Sequence, residues 1–436
     1  MTKRTMDSCQ LPRAKKRVVE VDFSGGNVTS DGGAVLLREA DRKLGVTERV
    51  ARQLPDPRLR GSVAHSTLRL LRQRVYAIAG GYEDLNDHNT LRDDLVLQTA
   101  VDADEPLASA STLCRFENWA TGFTAEVVHQ VLLETFVSSF KKPPKRIVLD
   151  FDATATAVHG EQEGRFFHGF YDEYCFLPLY VFCGKHLLVA YLRPADRDGA
   201  HHAGAILRLL VGHLRQAWPQ VEIVFRADSG FCRPHILYWC DRNDVLYIVG
   251  LAKNSRLKEL SKKWMQRAER KYLKKRRKSR LFGSFMYATH TWDRKRRVIL
   301  RTEHDEKGSN PRFVVTNLQG GKKELYEDVY CARGEAENRI KEQKALFATR
   351  MSAHLWNANQ MRLSLSALAY VIVDGLRRIG LAATEFANAQ VDTIRLKLLK
   401  IGAVVSRNTR RVRIMLATSC PYKDAFMTAL RALVPS

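Results

Sequence analysis

The chain has 436 residues, room for two or three domains around a sizeable core. Its 71 Lys and Arg against 47 Asp and Glu leave a formal net charge of +24. That excess predicts attraction to a polyanion, nucleic acid first and an anionic membrane surface second, and by itself says nothing about catalysis. The 8 cysteines are scattered with no Cys-x-x-Cys pair, which excludes zinc-site spacing and a dense disulfide framework and predicts reduced thiols in a cytosolic protein.

In chain order, Met-Thr-Lys-Arg-Thr-Met-Asp lacks the apolar run of a signal peptide, and the first 20 or so residues read as a basic, mobile segment. From Asp31 to about Phe140 apolar residues recur at helical spacing, as in Ala34–Asp41 and Ser66–Tyr76, the latter with a row of Arg69, Arg72 and Arg74. Ser111 is a plausible cap for a helix running to Trp119. Residues 1–142 are expected to be a helical domain that either engages DNA or simply presents a solvated basic face.

The pattern changes at Pro143. Lys145–Asp152 reads as a buried strand ending in acids, followed by strands at Leu177–Cys183 and His186–Leu192. A helix over Ala200–Trp218 should bury Ile206, Leu209, Leu210 and Leu214 on one side. Val221–Asp228 is a fourth strand, Pro234–Arg242 a helix and Val245–Leu251 a fifth strand, so residues 143–253 run three strands, helix, strand, helix, strand. Residues 254–325 open with a cation-dense run that includes Lys274, Lys275, Arg276 and Arg277, then turn strand-like from Leu281 to Leu318: a basic, β-rich insertion. The main fold resumes over 326–380 with a helix carrying Glu337 and a long apolar helix from Ala353 to Ile379. Residues 381–436 form a basic end with a strand pair and a short helix. The most apolar helical stretch, Leu363–Val373, is too short to span a bilayer and runs into Asp374 and Arg377, so no membrane role is expected.

The chemistry is carried by acids. Asp150 and Asp152, two apart on a strand, point to one face. Asp228 ends another strand, and Glu337 lies on a helix where, at about 100° per residue, Tyr330, Arg333, Glu337 and Lys344 share a stripe roughly 60° wide. Acids at neighbouring strand ends plus one from a packed helix can converge on one sheet edge, where three carboxylates would hold two Mg²⁺ ions about 4 Å apart for in-line displacement at phosphorus. Arg333 forks onto phosphate, Lys344 acts as a point charge and Tyr330 can stack or hydrogen-bond; an ordinary i,i+4 ion pair of Arg333 with Glu337 is the rival reading. The His201, His202 and His213 group reads as a solvated helix start, and no Walker A, Gly-x-Ser-x-Gly or His-Glu-x-x-His motif occurs.

Asp152-Ala-Thr154, Ala227-Asp228-Ser-Gly-Phe231 and the Tyr-x-x-Arg-x-x-x-Glu-x-x-x-x-x-x-Lys pattern from 330 to 344 together resemble bacterial insertion-sequence transposases of the Asp-Asp-Glu superfamily. The likeness is to the branch with a β-rich insertion before the catalytic Glu; His159–Gly164, Tyr171–Cys175 and Leu177-Pro-Leu are similar to one subgroup of it. The resemblance implies an α/β fold: a ribonuclease-H-like catalytic core interrupted by a β-rich insertion, with a helical N-terminal domain. It implies Asp152, Asp228 and Glu337 as catalytic acids, with Asp150 an alternative metal ligand that the sequence leaves open. It further implies two Mg²⁺ ions (Mn²⁺ able to stand in), and Tyr330, Arg333 and Lys344 on DNA near the cut end. An aromatic in the insertion holding a flipped base is also implied; Trp292, flanked by Arg294, Lys295, Arg296 and Arg297, is the candidate, a core Trp the plainer reading.

The expected partners are double-stranded DNA, both terminal inverted repeats and target, and a second copy of the chain on that DNA, in the bacterial cytoplasm at the nucleoid. The expected activity is cut-and-paste transposition: strand cleavage leaving a 3′-hydroxyl, a hairpin step in some relatives, then strand transfer. A DNA-binding descendant that no longer cuts, and a host nuclease of the same fold, are the competing classes.

Overall fold

The computed structural model describes residues 9–59, 61 and 63–434. They form two compact units: one from residues up to 116 together with those from 372 onward, the other from residues 117–371.

The first unit opens with a hairpin, β1 (Cys9–Ala14) and β2 (Arg17–Val21), paired from Cys9↔Val21 to Ala14↔Arg17. A mobile segment was expected here; the alternation in Arg17-Val-Val-Glu-Val suits a strand, while residues 1–8 lie outside the described residues. After β3 (Val28–Thr29) come α1 (Ala34–Leu44), α2 (Val46–Gln53), α3 (Thr67–Gly80), the short α4 (His88–Leu91) and α5 (Leu95–Ala100), and α6 (Ala110–Asn118). Ser66 caps α3, its hydroxyl accepting from the Arg69 amide at 3.3 Å, and Gly81 ends it in the left-handed region at φ 101°. α6 starts at Ala110, so Ser111 sits in its first turn and not at the cap.

The arginine row of α3 does not form a phosphate-facing surface. Arg72 is buried and donates to Asp102 at 2.8 Å and to Thr47 at 3.2 Å; Arg74 is buried against His88 at 3.1 Å; Arg69 pairs with Glu105. Burial, then the Arg74 charge, pushes the His88 pKa down to about 3, which keeps that imidazole neutral. Helical spacing reported where these cations sit along the helix, but not which acids the neighbouring helices would bring to them.

In the second unit α7 (Gly122–Ser138) precedes β4 (Arg146–Ala153), three short strands β5 (Thr156–Ala157), β6 (Phe166–His168) and β7 (Glu173–Phe176), then β8 (Leu179–Cys183) and β9 (His186–Tyr191). α8 (Ala203–Ala217), β10 (Glu222–Ala227), α9 (Pro234–Arg242) and β11 (Leu246–Leu251) follow the expected alternation. Then come α10 (Ser255–Lys275), β12 (Ser279–Tyr287), β13 (Arg296–Asp305), β14 (Gly308–Thr316), one turn α11 (Lys322–Glu324), α12 (Gly334–Ala345) and α13 (Trp356–Gly375), which ends in the first unit.

Eight of these strands make one mixed sheet in the order β12-β13-β14-β11-β10-β4-β8-β9, with β4, β10 and β11 parallel. The β-rich insertion is therefore not a separate body. β14 pairs antiparallel with β11 from Leu251↔Phe313 to Ile248↔Thr316, capping what would otherwise be an exposed edge of the core sheet. The cation-dense run before it is helical: Leu257, Ser261 and Ala268 of α10 are buried, and Trp264 lies on Gly283, where a Cβ would come within 2.6 Å of the indole.

One sheet face packs Leu149, Phe151, Phe225, Tyr247 and Val249 against Leu133 and Phe136 of α7, Leu207, Leu210 and Leu214 of α8, and Ile236 and Leu237 of α9. Leu209, expected on that face, is 73% exposed; the buried stripe is one step off, through Leu207 and Val211. On the other face Val224, Ile248, Ile299 and Val314 meet Leu318, Leu325 and Tyr326 from the stretch leading to α12.

The first unit closes with α14 (Val391–Ile394), the strand pair β15 (Ala403–Arg407) and β16 (Val412–Leu416), and α15 (Lys423–Leu433); β15 also pairs with β3. Gly32 and Gly33 donate to the Ile401 and Leu399 carbonyls at 2.9 and 3.1 Å. A Cβ on Gly33 would stand 1.9 Å from the Leu398 carbonyl oxygen, so Gly33→Ala is expected to cost about 3 kcal/mol, the upper end for overpacking, read as a lower denaturant midpoint with an unchanged m-value. Among the described residues no helix is long and apolar enough to cross a membrane, and no metal-holding group forms around the histidines at the start of α8.

Candidate active site

Asp152 and Asp228 are brought level by strand register. β4 and β10 run parallel with Ala227 opposite Phe151, so the next residue of each strand, Asp228 and Asp152, comes side by side, neighbouring strands lying about 4.8 Å apart. Asp152 is 8% exposed and accepts from the Ala153 amide at 3.0 Å; Asp228 accepts from the Gly230 amide at 2.7 Å, a turn that holds its carboxylate at the strand end. Both side chains share the sheet face with Val148 and Val224, towards the segment that carries Glu337.

That segment is one continuous helical path that changes gauge: a π-helical turn Leu325–Tyr330, a 3₁₀ turn Cys331–Arg333, then α12. A uniform 100° step was expected to put Tyr330, Arg333, Glu337 and Lys344 on one stripe; the change of gauge breaks it. Arg333 and Glu337 stay together, Tyr330 turns towards β11, and Lys344 lies exposed two turns beyond Glu337. Arg333 bridges two of the acids, its Nη1 donating to Asp152 Oδ2 at 3.1 Å and its Nη2 to Glu337 Oε1 at 2.7 Å. The i,i+4 pair is thus present, and it extends to a third partner on the sheet.

The electrostatics follow. Burial pushes the Asp152 pKa up to about 6; Arg333 pulls it down, and the charges of Asp228 and Glu337 push it further up. Three hard oxygen donors with more negative charge than one guanidinium can balance are the kind of set a divalent cation satisfies. Among the described residues no three His, Cys, Asp or Glu side chains already close around a point, and Arg333 stands between Asp152 and Glu337. Asp152, Asp228 and Glu337 carry the oxygen-donor chemistry that Mg²⁺ takes, with the Arg333 guanidinium on two of the three.

Asp150 is otherwise engaged. It is 2% exposed and forked by Arg226, directly opposite it in the β4–β10 register, through Nε and through Nη2 at 2.7 Å. Arg226 Nη1 donates onward to the Val329 carbonyl, tying both strands to the turn before Arg333. Neither Arg226 nor this role was foreseen, since pairing register between distant strands leaves no mark in a single sequence.

The insertion residues divide. Trp292 is half-buried, edge-on to Tyr287 at 5.7 Å, with the Arg296 guanidinium 5.4 Å from its ring centre. Arg296, expected on DNA, is instead buried and paired with Asp241 at 2.8 Å and Asp293 at 2.7 Å. Arg297 is half-buried and donates to the Leu318 and Gly320 carbonyls at 3.2 and 2.9 Å. Arg294, paired with Asp293 at 3.3 Å, and Lys295 are exposed, as are Lys274, Lys275, Arg276 and Arg277 around the end of α10. Five exposed aromatics lie instead in Phe166–Tyr174, with Phe170 84% exposed.

The site thus places two carboxylates at adjacent strand ends and a third on a helix, in a strongly cationic chain. The family model described as "Transposase DDE domain group 1" matches residues 11–436, and the chain belongs to this family. A cryo-EM structure described as the piggyBac transposase synaptic complex with hairpin DNA is similar over 85% of this chain and 80% of that one, at 9% identity and a TM-score of 0.42, too slight a likeness to carry a structural argument. No curated protein matches the chain.

Proposed function

We propose that this chain is an insertion-sequence transposase that cleaves element ends and joins them to target DNA on a ribonuclease-H-like core, working as a homodimer because two ends must be brought together. The observation that carries the reading is the level placement of Asp152 and Asp228, with Glu337 linked to Asp152 through Arg333. Membership of the family and the +24 charge support it. Two Mg²⁺ ions, when bound, would supply the Lewis acidity for attack of water or a 3′-hydroxyl on phosphorus.

The chain's own residues do the rest. Asp152, Asp228 and Glu337 would hold the cations, whose charge would fix the scissile phosphate; Asp150, kept by Arg226, is structural. Arg333, once released from the acids, can fork onto the phosphate between them. Tyr330 and Lys344 flank it on either side along the helical path. The exposed cations around the end of α10 add sequence-independent grip that weakens with salt.

A DNA-binding descendant that no longer cuts is the second reading, favoured by Arg333 occupying the space between two of the acids. One experiment separates them: nicking of DNA carrying the element's inverted repeats, in Mg²⁺, by wild type and Glu337→Gln. Cleavage by wild type with a loss on the order of 100-fold or more in the variant is expected. Equal nicking by both, or none by wild type, sinks the enzyme reading.

A further inference from the structure

A cavity of about 300 Å³ opens beside Asp228, lined by Ser229, Gly250, Lys253, Arg312, Tyr326 and Tyr330 among others. Its position follows from the fold: Ser229 is the residue after Asp228, and Gly250 lies on the neighbouring β11. A Cβ on Gly250 would stand 2.7 Å from the Ser229 nitrogen and 2.8 Å from the Tyr330 hydroxyl, so only glycine lets these groups meet there.

The charge around this cavity is unbalanced. Arg301 of β13 and Arg312 of β14 are directly opposite in the antiparallel register, an arrangement of like charges that destabilises a sheet by itself. Arg301 lies over the Tyr326 ring at 5.1 Å, and its Nε is buried without a hydrogen-bond partner. Its carboxylate is Glu303 at 3.5 Å, which Lys278 at 3.3 Å and Arg280 at 2.7 Å also claim. Arg312 is exposed with no ion pair among the described residues, and Lys253 donates only to the neutral Asn310 side chain, at 2.7 Å. Three cations share the Glu303 carboxylate, Arg280 alone of them having a second acid in Glu327 at 2.8 Å, while Arg312 and Lys253 face the cavity with no carboxylate among the described residues; the excess calls for an anion.

The volume is at the small end for a single bound small ligand, and two walls, Tyr326 and Tyr330, are aromatic. We propose that this cavity is a nucleotide subsite of the cleaved strand, taking one phosphate on Arg312 and Lys253 and the attached sugar or base against Tyr326 and Tyr330. The proposal rests on the transposase reading for its ligand. It goes beyond it in naming Arg312 and Lys253, which carry no part of the acid site, as the groups that seat the strand next to the scissile bond. An anion there also removes the Arg301–Arg312 repulsion, so binding and sheet stability are coupled.

The test is equilibrium binding of the full chain to a short single-stranded oligonucleotide and to the matching duplex over a range of salt, without metal. The proteins compared are wild type, Arg312→Ala, Arg312→Lys and the exposed control Lys142→Ala. Arg312→Ala is expected to weaken single-strand binding about tenfold and to lower the salt slope by about 0.7, while Arg312→Lys restores most of both and Lys142→Ala changes neither by more than about twofold. Inorganic phosphate should raise the wild-type melting temperature and leave Arg312→Ala unmoved; a response to phosphate with no single-strand defect would mean a free-anion site and overturn the nucleotide assignment. Unchanged slope and affinity in Arg312→Ala, or an equal loss in Lys142→Ala, overturns the subsite. The outcome is independent of nicking: if Glu337→Gln cleaves as wild type does, the transposase mechanism falls while an Arg312 binding defect stands, and the reverse combination removes the subsite alone.

Discussion

Asp152→Asn is expected to lower metal-dependent nicking on the order of 100- to 1000-fold and, in the same protein, to make the metal-free fold more stable near neutral pH by about 3 kcal/mol. The second half follows from the pKa of Asp152, pushed from the ordinary 3.8 up to about 6 by burial and by the Asp228 and Glu337 charges, against the pull of Arg333. A group whose folded pKa lies above its unfolded one contributes fully below the unfolded value and loses that contribution as pH rises through the folded value. Wild type therefore weakens relative to the variant between about pH 4 and pH 6, and the gap is constant above about pH 7. Asparagine has no charge to desolvate, so it escapes the penalty. Mg²⁺ should narrow the gap by binding wild type alone, more strongly as pH rises past about 6, because the carboxylates must be deprotonated to ligate. Denaturant unfolding across this pH range, with and without Mg²⁺, reads both effects. A gap that is flat with pH, or a less stable variant at neutral pH, would contradict the crowding of acids described above.

Arg226→Ala is expected to destabilise the protein by about 3–5 kcal/mol, the cost of stranding a buried partner, and to slow cleavage as well. Asp150 is deep in the sheet, and Arg226 is both its counter-ion and the link to the Val329 carbonyl in the turn that leads to Arg333 and Glu337. Burial already holds the Asp150 pKa above the usual range even with Arg226 present. Without Arg226 the carboxyl takes up a proton, so the stability loss should grow with pH and shrink in acid. Arg226→Met combined with Asp150→Leu should recover most of the loss, since two apolar groups of similar volume need no pairing. Activity should stay low in that double variant, because the tie to Val329 is still missing. A loss under about 1 kcal/mol, unchanged between acid and neutral pH, would mean that this pair is not the buried clamp described.

Much of the second unit was legible. Apolar runs bounded by turn residues placed β4, β10 and β11 within a residue or two, and helical spacing placed α9 at both ends, because a buried strand or helix must keep its period wherever it packs. The errors cluster where the partner decides. Arg72 and Arg74 read as surface cations until Asp102 and His88 came up beside them. Leu209 has the right residue type and spacing for the core but lies one step round the helix from it. The strand-like stretch from Leu281 to Leu318 was read as an insertion into the core; the pairing of β14 with β11 is a contact between segments about sixty residues apart that nothing local encodes.

The candidate site shows the same division. Residue identity and order along the chain point to Asp152, Asp228 and Glu337 as the expected acids, since metal chemistry at phosphorus needs those side chains and strands or helices to carry them. What distinguishes the surroundings of Asp150 and Asp152 is the sheet: the parallel register sets Arg226 against one and Asp228 beside the other. Tertiary structure also put Arg333 between two acids and Arg301 opposite Arg312. A chain specifies its periods locally, through torsions and apolar spacing, but charge meets charge only after distant segments pack, so what each ionic group faces is settled by the fold.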